Sequence, residues 1–368
     1  MKIALLKMHA STRGGLEKYA IRIASAFLKR GDEITCLTTG KIEQIPSCVF
    51  PVRSWPTFVK LEQFDKCVSR WVKQHSPDIV FGMERNRIQT HLRAGNGVHA
   101  AFLKMRRTSE GWMKYGICQI NPLHRKILEL EKAAFECPKL KKIFVNSRMV
   151  QKEVLRHYHV DPAKIEVIYN GVEWQEFEKP FSNWQRERFI FFEKFGLDPH
   201  AFHLLFIGNG YQRKGLEPLL TALSLWKFKD FHLSVVGKEK RIDRFRALAA
   251  RLKIDSRVRF FGAQNGVIPF YQMADVLTIP SFYDPFANVT LEALSFGLFV
   301  ISSKANGGHE ILKEKTGIGF DEISPASILA ALERSLYFRK TVTSANEIRS
   351  EIASFDFSNQ LAKLMDAC

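Results

Sequence analysis

KIALLK at Lys2–Lys7, GGLEKYAIRIASAFLKRG at Gly14–Gly31 and EITCLTT at Glu33–Thr39 follow one another at the N-terminus, and together they point to one architecture. The first and third are apolar on both faces rather than alternating, as strands covered on each side are. The middle stretch spaces Leu16, Tyr19, Ala20, Ile23, Ala24, Phe27 and Leu28 as one helical stripe, and Gly31 stops it. Strand, helix and strand, with both strands buried, make a parallel crossover unit.

The alternation recurs along the chain. PDIVFGM, KKIFVNS and KIEVIYNG continue a first series, while HLLFIGN, HLSVVGK, RVRFFGA, VLTIPS and LFVISS form a second. Between them lies the polar, aromatic-rich VEWQEFEKPFSNWQRER from Val172 to Arg188. The expected fold is α/β, with two doubly wound domains facing across a cleft. The first takes residues 1–175, joined by a C-terminal helix from about 352 to 368, and the second takes 176–351. In open parallel sheets ligands sit at the carboxyl ends of the strands.

Composition narrows the class. A hydrophobic fraction of 46% and a charged fraction of 25% are those of a globular protein, and no apolar run is long enough to span a membrane. The start, MKIALLKMHAST, is too short in apolar residues for a signal-peptide core. Six cysteines without a CxxC spacing read as reduced thiols in the cytoplasm, with no metal site. The net charge of +17 is uneven: Arg85 to Lys126 holds nine basic residues against one acid, Glu110. A field that local attracts an anionic partner: nucleic acid, a phosphorylated substrate or an acidic membrane surface.

Three loops fall at strand ends. GNGYQRKG, from Gly208 to Gly215, lacks the third glycine of a dinucleotide fingerprint. It also lacks the Lys and Ser/Thr of an NTPase loop. A glycine turn opening a helix beside Arg213 and Lys214 suits a diphosphate, since two cations there oppose the helix dipole and call for compensation. STRGG brings Gly14 and Gly15 to the corresponding loop of the first series, and NGG stands at Asn306–Gly308; each is weak alone. GNGVHAAFL places His99 after a glycine loop. The following FLKMRRTSEGWMKYG interleaves Phe102, Trp112 and Tyr115 with Lys104, Arg106, Arg107 and Lys114. Such a mixture suits lipid headgroups or single-stranded nucleic acid. PSFYDPFANVTLEALSFG sets Asp284 and Glu292 eight residues apart around a helix start.

Taken in order, the glycine loop, GVHAAFL, VNS at 145–147, VIYNGV, GNGYQRKG and the Asp284–Glu292 spacing resemble the family 4 retaining glycosyltransferases of GT-B fold. The resemblance covers essentially the whole chain and is most like the bacterial lipopolysaccharide core glucosyltransferases. It implies a metal-independent hexosyltransferase with no cofactor, whose substrate is a nucleotide-sugar, expected to be UDP-linked. Glu292 would hold the ribose hydroxyls, Asp284 the transferred sugar, and the backbone from Pro285 through Asn288 to Val289 would close over the diphosphate with Gly208. Arg213 and Lys214 would neutralise the leaving group, and His99 would meet the donor sugar or the acceptor. Asp284 stands where the family usually has Glu, which leaves both a nucleophile and a sugar-ligand role open. Phe299 replaces a common proline. Lys104, Arg106, Arg107, Trp112 and Lys114 would dock a monomer on the anionic inner membrane, where a glycolipid or lipopolysaccharide core acceptor lies. The competing readings are a nucleic-acid-binding protein using residues 85–126, which no known motif supports, a family 4 transferase with a soluble acceptor, and a degenerate member that only binds.

Overall fold

The computed structural model describes residues 1–368 apart from 9–14, 43–44, 54 and 111–119, and apart from the side chains of 15–18 and 107–110. It divides into two units: Met1–Tyr169 with Leu361–Cys368, and Asn170–Gln360.

In the first unit seven strands, β1 (Lys2–Leu6), β2 (Glu33–Thr38), β3 (Ser47–Val49), β4 (Ile79–Gly82), β5 (His91–Arg93), β6 (Lys142–Val145) and β7 (Ile165–Val167), form one sheet. Its order is β3-β2-β1-β4-β5-β6-β7, parallel throughout. The β1 side chains alternate between two cores. Ile3 and Leu5 meet Ala20, Ile23, Ala24 and Phe27 of the helix Gly15–Lys29, together with Leu364 of the C-terminal helix Phe357–Asp366. Ala4 and Leu6 meet Phe64 and Val68 of the helix Thr57–His75 on the other side. Burial on both faces is why these strands carry unbroken apolar runs, each large side chain contributing about 1.5–3 kcal/mol. Leu28 departs from the expected stripe and is 41% exposed. At 100° per residue it has rotated well past Phe27, off the buried face.

The second unit repeats the design with β8 (Phe202–Ile207), β9 (Phe231–Val236), β10 (Val258–Gly262), β11 (Val276–Ile279), β12 (Phe299–Ser303) and β13 (Gly317–Phe320). Their order is β10-β9-β8-β11-β12-β13, again parallel throughout. Phe299 is fully buried and stacks on Phe338 at 4.1 Å. The stretch from Val172 to Arg188 belongs to this unit and is no loose linker, since it forms the helix Glu178–Ser182 and opens the helix Trp184–Phe195. Arg349 fastens it, lying 4.3 Å over Trp174 and donating to Glu178 and to the Ser295 carbonyl. Arg188 does the same from the next helix, paired at 3.0 Å with fully buried Asp275.

Each sheet reverses its winding once, between β1 and β4 and between β8 and β11. Loops leaving those neighbouring strands part in opposite directions and leave a crevice at the strand ends. The loops after β8 and β11 are Gly208–Gly215 and the segment entering the helix Asn288–Ser295.

Candidate active site

Two loops of the second unit are sewn together at its switch point. Phe282 N donates to the Arg213 carbonyl at 2.9 Å, and Arg213 Nη1 donates to the Tyr283 carbonyl at 2.8 Å. Gly215, at φ +77°, closes the approach, because a Cβ there would lie 1.9 Å from the Pro280 carbonyl oxygen. Only glycine meets both conditions. Gly208 serves differently, its missing Cβ leaving room for the Lys214 stem, whose carbons come within 3.0–3.1 Å of that position.

The Lys214 ammonium is thereby aimed at Asp284. It donates to Oδ2 in a pair whose side chains are 10% and 13% exposed, and Arg213 Nη1 lies 3.7 Å from the same oxygen. The two cations at this helix start are thus compensated by a carboxylate seventy residues along the chain. Lys214 has three donors and Asp284 several lone pairs, so each retains capacity for a ligand beyond this pair.

Asn306, fully buried, fixes where Asp284 and the following helix lie. Its Oδ1 accepts from Ala287 N at 2.9 Å and Gly308 N at 3.1 Å, while Nδ2 donates to Thr290 Oγ1 and Ser302 Oγ. Backbone bonds from Asp284 N to the Ala305 carbonyl and from Gly307 N to the Asp284 carbonyl complete the clamp. The NGG turn therefore holds the Asp284 loop. Asn288 begins the helix exposed and accepts from Asn170 Nδ2 at 2.7 Å, and Val289 follows half-buried.

Glu292 sits within the helix Asn288–Ser295 rather than in its first turn, so it does not serve as a helix-start charge. Its Oε2 accepts from the Tyr271 hydroxyl at 2.6 Å. Tyr271 is buried, and burial together with the neighbouring carboxylate pushes its phenol well above the usual range.

The first unit carries His99, the first residue of the helix His99–Glu110. Its Nε2 lies 3.0 Å from His124 Nδ1, one of the two donating. Behind it Glu131, fully buried, accepts from His99 N at 2.8 Å, Ala100 N at 3.2 Å, Arg85 Nε at 2.5 Å and the Tyr158 hydroxyl at 2.6 Å. A carboxylate at a helix N-terminus satisfies its open amides and its dipole. Burial, helped by Arg85, pushes the His99 imidazole down to about 4, so it is neutral near pH 7. Glu131, His124, Tyr158, Asn306 and Tyr271 carried no motif; of these, only Asn306 stood in a turn signal.

Of the other expected residues, Gly15 opens the helix Gly15–Lys29, whereas Gly14, Trp112 and Lys114 lie outside the described residues, as does the side chain of Arg107. Lys104 is exposed and Arg106 half-buried. The basic segment is less of a free patch than its sequence suggests, because acids from elsewhere meet it. Arg85 pairs with Glu131, Arg87 with Glu62, Asp65 and Glu129, and Lys126 with Glu62 and Glu129. Arg93 is buried against the Ile168 carbonyl and the Tyr19 ring. Among the described residues no three His, Cys, Asp or Glu side chains group as metal ligands, and no helix is long and apolar enough to cross a membrane.

Two Rossmann-like units, the second with a cation–carboxylate cluster at its switch point, are the architecture of the GT-B glycosyltransferases. The family model "Glycosyl transferases group 1" matches residues 187–347, and "Glycosyltransferase Family 4" matches 13–176. Together the two models mark the chain as a glycosyltransferase of GT-B type. It is 26% identical over 302 residues to the lipopolysaccharide glucosyltransferase WaaG of Escherichia coli K12, covering 80% of this chain and 78% of that protein. An uncharacterized glycosyltransferase of Methanocaldococcus jannaschii is 32% identical over 194 residues, 52% of this chain and about half (49%) of that protein's length. Crystal structures of WaaG (TM-score 0.80, 23% identity, 99% of both chains) and of Anabaena HepE with UDP (0.74, 17%, 100% and 99%) share the fold.

Proposed function

We propose that this chain transfers a hexose, with retention at the anomeric carbon, from a UDP-linked sugar to a lipid-linked or lipopolysaccharide core saccharide. What carries the reading is the Lys214–Asp284 pair with Arg213 3.7 Å from the shared oxygen, at the strand ends where such sheets bind ligands. In the reaction the bond from the anomeric carbon to the diphosphate breaks as the bond to the acceptor oxygen forms, and the acceptor proton passes to the leaving phosphate. Arg213 and Lys214 neutralise the charge that develops on that phosphate, in place of a metal ion. Asp284 accepts from sugar hydroxyls and Glu292 from the ribose, while Gly208 and the backbone at Asn288 and Val289 border the diphosphate. His99, neutral at pH 7, offers a hydrogen bond to sugar or acceptor rather than a charge. The donor and acceptor classes draw support from the names of the relatives: HepE was solved with UDP and with UDP-glucose, and WaaG is a lipopolysaccharide glucosyltransferase.

Exposed Lys104 with Arg106, Arg107, Trp112 and Lys114 dock the monomer on the anionic cytoplasmic face of the inner membrane. Flotation with anionic but not neutral vesicles at low salt tests this, and equal flotation with both contradicts it. Four cations of the 85–126 segment are engaged within the fold, which disfavours a nucleic-acid interface.

The experiment is nucleotide release from UDP-, GDP- and ADP-hexoses in EDTA, with and without a lipid-linked saccharide. Acceptor-dependent release from one donor, with the product's anomeric configuration unchanged, supports the proposal. Silence with every donor, or release that needs added metal, overturns it.

A further inference from the structure

Glu292 is held from behind with unusual completeness. Tyr271 donates to its Oε2 at 2.6 Å, and the Tyr271 ring is itself fixed by stacking on Phe296, centroids 5.6 Å apart and planes 16° from parallel. The backbone of Tyr271 is pinned as well, since Nζ of buried Lys340 donates to the carbonyls of Tyr271 and Gln272 at 3.2 and 3.3 Å. Lys340 is in turn seated 4.3 Å over the Trp184 ring. On the helix side Ser295 Oγ donates to the Glu292 carbonyl, and Arg349 Nη1 to that of Ser295. The hydroxyl, ring and backbone carbonyl of Tyr271 are thus each held by a contact of their own. That arrangement fixes one carboxylate rotamer, which plain packing of a half-buried glutamate does not require.

We propose that Tyr271 is a positioning residue that makes this site selective for ribonucleotides over 2′-deoxyribonucleotides, by holding the Glu292 carboxylate where it meets both ribose hydroxyls. This rests on the donor reading above. A carboxylate free to swing on its three side-chain torsions spends entropy to meet two adjacent hydroxyls at once, whereas one anchored by a charge-assisted hydrogen bond does not. A carboxylate has about four lone-pair sites, so acceptance from Tyr271 is compatible with acceptance from sugar hydroxyls. Removal of the phenol oxygen should therefore weaken binding through the ribose hydroxyls and leave the rest of the nucleotide unaffected.

The test is the affinity of the full chain for UDP and for 2′-deoxy-UDP, repeated with the guanosine and adenosine pairs. The wild type should prefer the ribo form of its nucleotide by about tenfold or more, the scale of a hydrogen bond to a charged group. In Tyr271→Phe the preference should fall to about threefold or less, with 2′-deoxy binding, which keeps the 3′-hydroxyl contact, weakened by a smaller factor than ribo binding. Phe296→Leu, which removes the ring that Tyr271 stacks on but keeps the hydroxyl, should lower the preference by a smaller factor. It gives an independent reading if Tyr271→Phe does not fold. Equal loss of both nucleotides in these variants, with the wild-type preference intact, marks Tyr271 as structural and overturns the inference alone. A wild type that binds a diphosphate without preference overturns it too, and a wild type that binds none of the six overturns the donor reading itself.

Discussion

Substitution of Asp284 by asparagine keeps the shape of the side chain and removes its charge, leaving the Lys214 ammonium only 10% exposed beside a neutral amide. Removing one partner of a buried ion pair costs about 3–5 kcal/mol. The amide oxygen still accepts one hydrogen bond, and Arg213, 36% exposed, can turn to water, so about 2–4 kcal/mol is expected here. For a unit of this size that lowers the thermal midpoint by roughly 5–15 °C. Lys214→Met strands Asp284 instead and should cost a similar amount, since Arg213 is too distant at 3.7 Å to replace it fully. The double variant has no charge to strand. Its stability should return to within about 1 kcal/mol of wild type, so the coupling, the sum of the two single losses less that of the double, should be at least about 3 kcal/mol. Hexose transfer should be lost in all three proteins, because stability returns without the groups that hold donor and leaving group. The assay is a double-mutant cycle on thermal or urea unfolding, with transfer rates measured on the same samples. Additive destabilisation would refute the pairing, and a stable double variant that still transfers would refute its role in chemistry.

Gly215→Ala forces a Cβ to 1.9 Å from the Pro280 carbonyl at a positive φ; a loss of at least about 2–3 kcal/mol is expected in urea unfolding, and a change below about 0.5 would contradict the close approach. Asn306→Ala unclamps the Asp284 loop by leaving the amides of Ala287 and Gly308 and the hydroxyls of Thr290 and Ser302 without their partner. It should cost about 2–3 kcal/mol and raise the KM for donor, and an unchanged KM would count against the clamp. His91, His99, His203 and His232 are each pushed down to about 4 chiefly by burial. The unfolded chain then binds more protons between about pH 4 and 6.5, so stability present at pH 7 is lost as pH falls through that window, and unfolding at pH 5 should take up between about three and four protons from these groups. Calorimetry in buffers of different ionisation heat checks the count, and a stability profile flat from pH 7 to 5 would contradict it.

Strands with apolar runs were plain in the sequence because both of their faces are buried; β5 was not. It is three residues long, and its polar members are buried only by tertiary partners: His91 packs beside the rings of Phe81 and Phe144, centroids 6.4 and 6.3 Å away, and Arg93 donates to the Ile168 carbonyl. The same limit governs the site. Arg213, Lys214, Asp284 and Glu292 stood out as residue types at loop and helix starts. That Lys214 meets Asp284 was not legible, since the partners are seventy residues apart and only the neighbouring positions of β8 and β11 bring them together. Tyr271 and Glu131 look like ordinary core and helix residues until their partners are in place. The basic segment misled in the opposite sense, because charge summed along the chain ignores Glu62, Asp65, Glu129 and Glu131 arriving from outside it.

The most direct test of the whole account is the transfer rate, in EDTA and with the donor that the wild type accepts, of Arg213→Ala and Glu292→Ala beside wild type. Arg213→Ala should lower kcat by about tenfold to a hundredfold, the scale of a lost transition-state charge contact. Glu292→Ala should chiefly raise the KM for donor. Both proteins transferring hexose at the wild-type rate and KM would contradict the assignment of this cluster as the donor site.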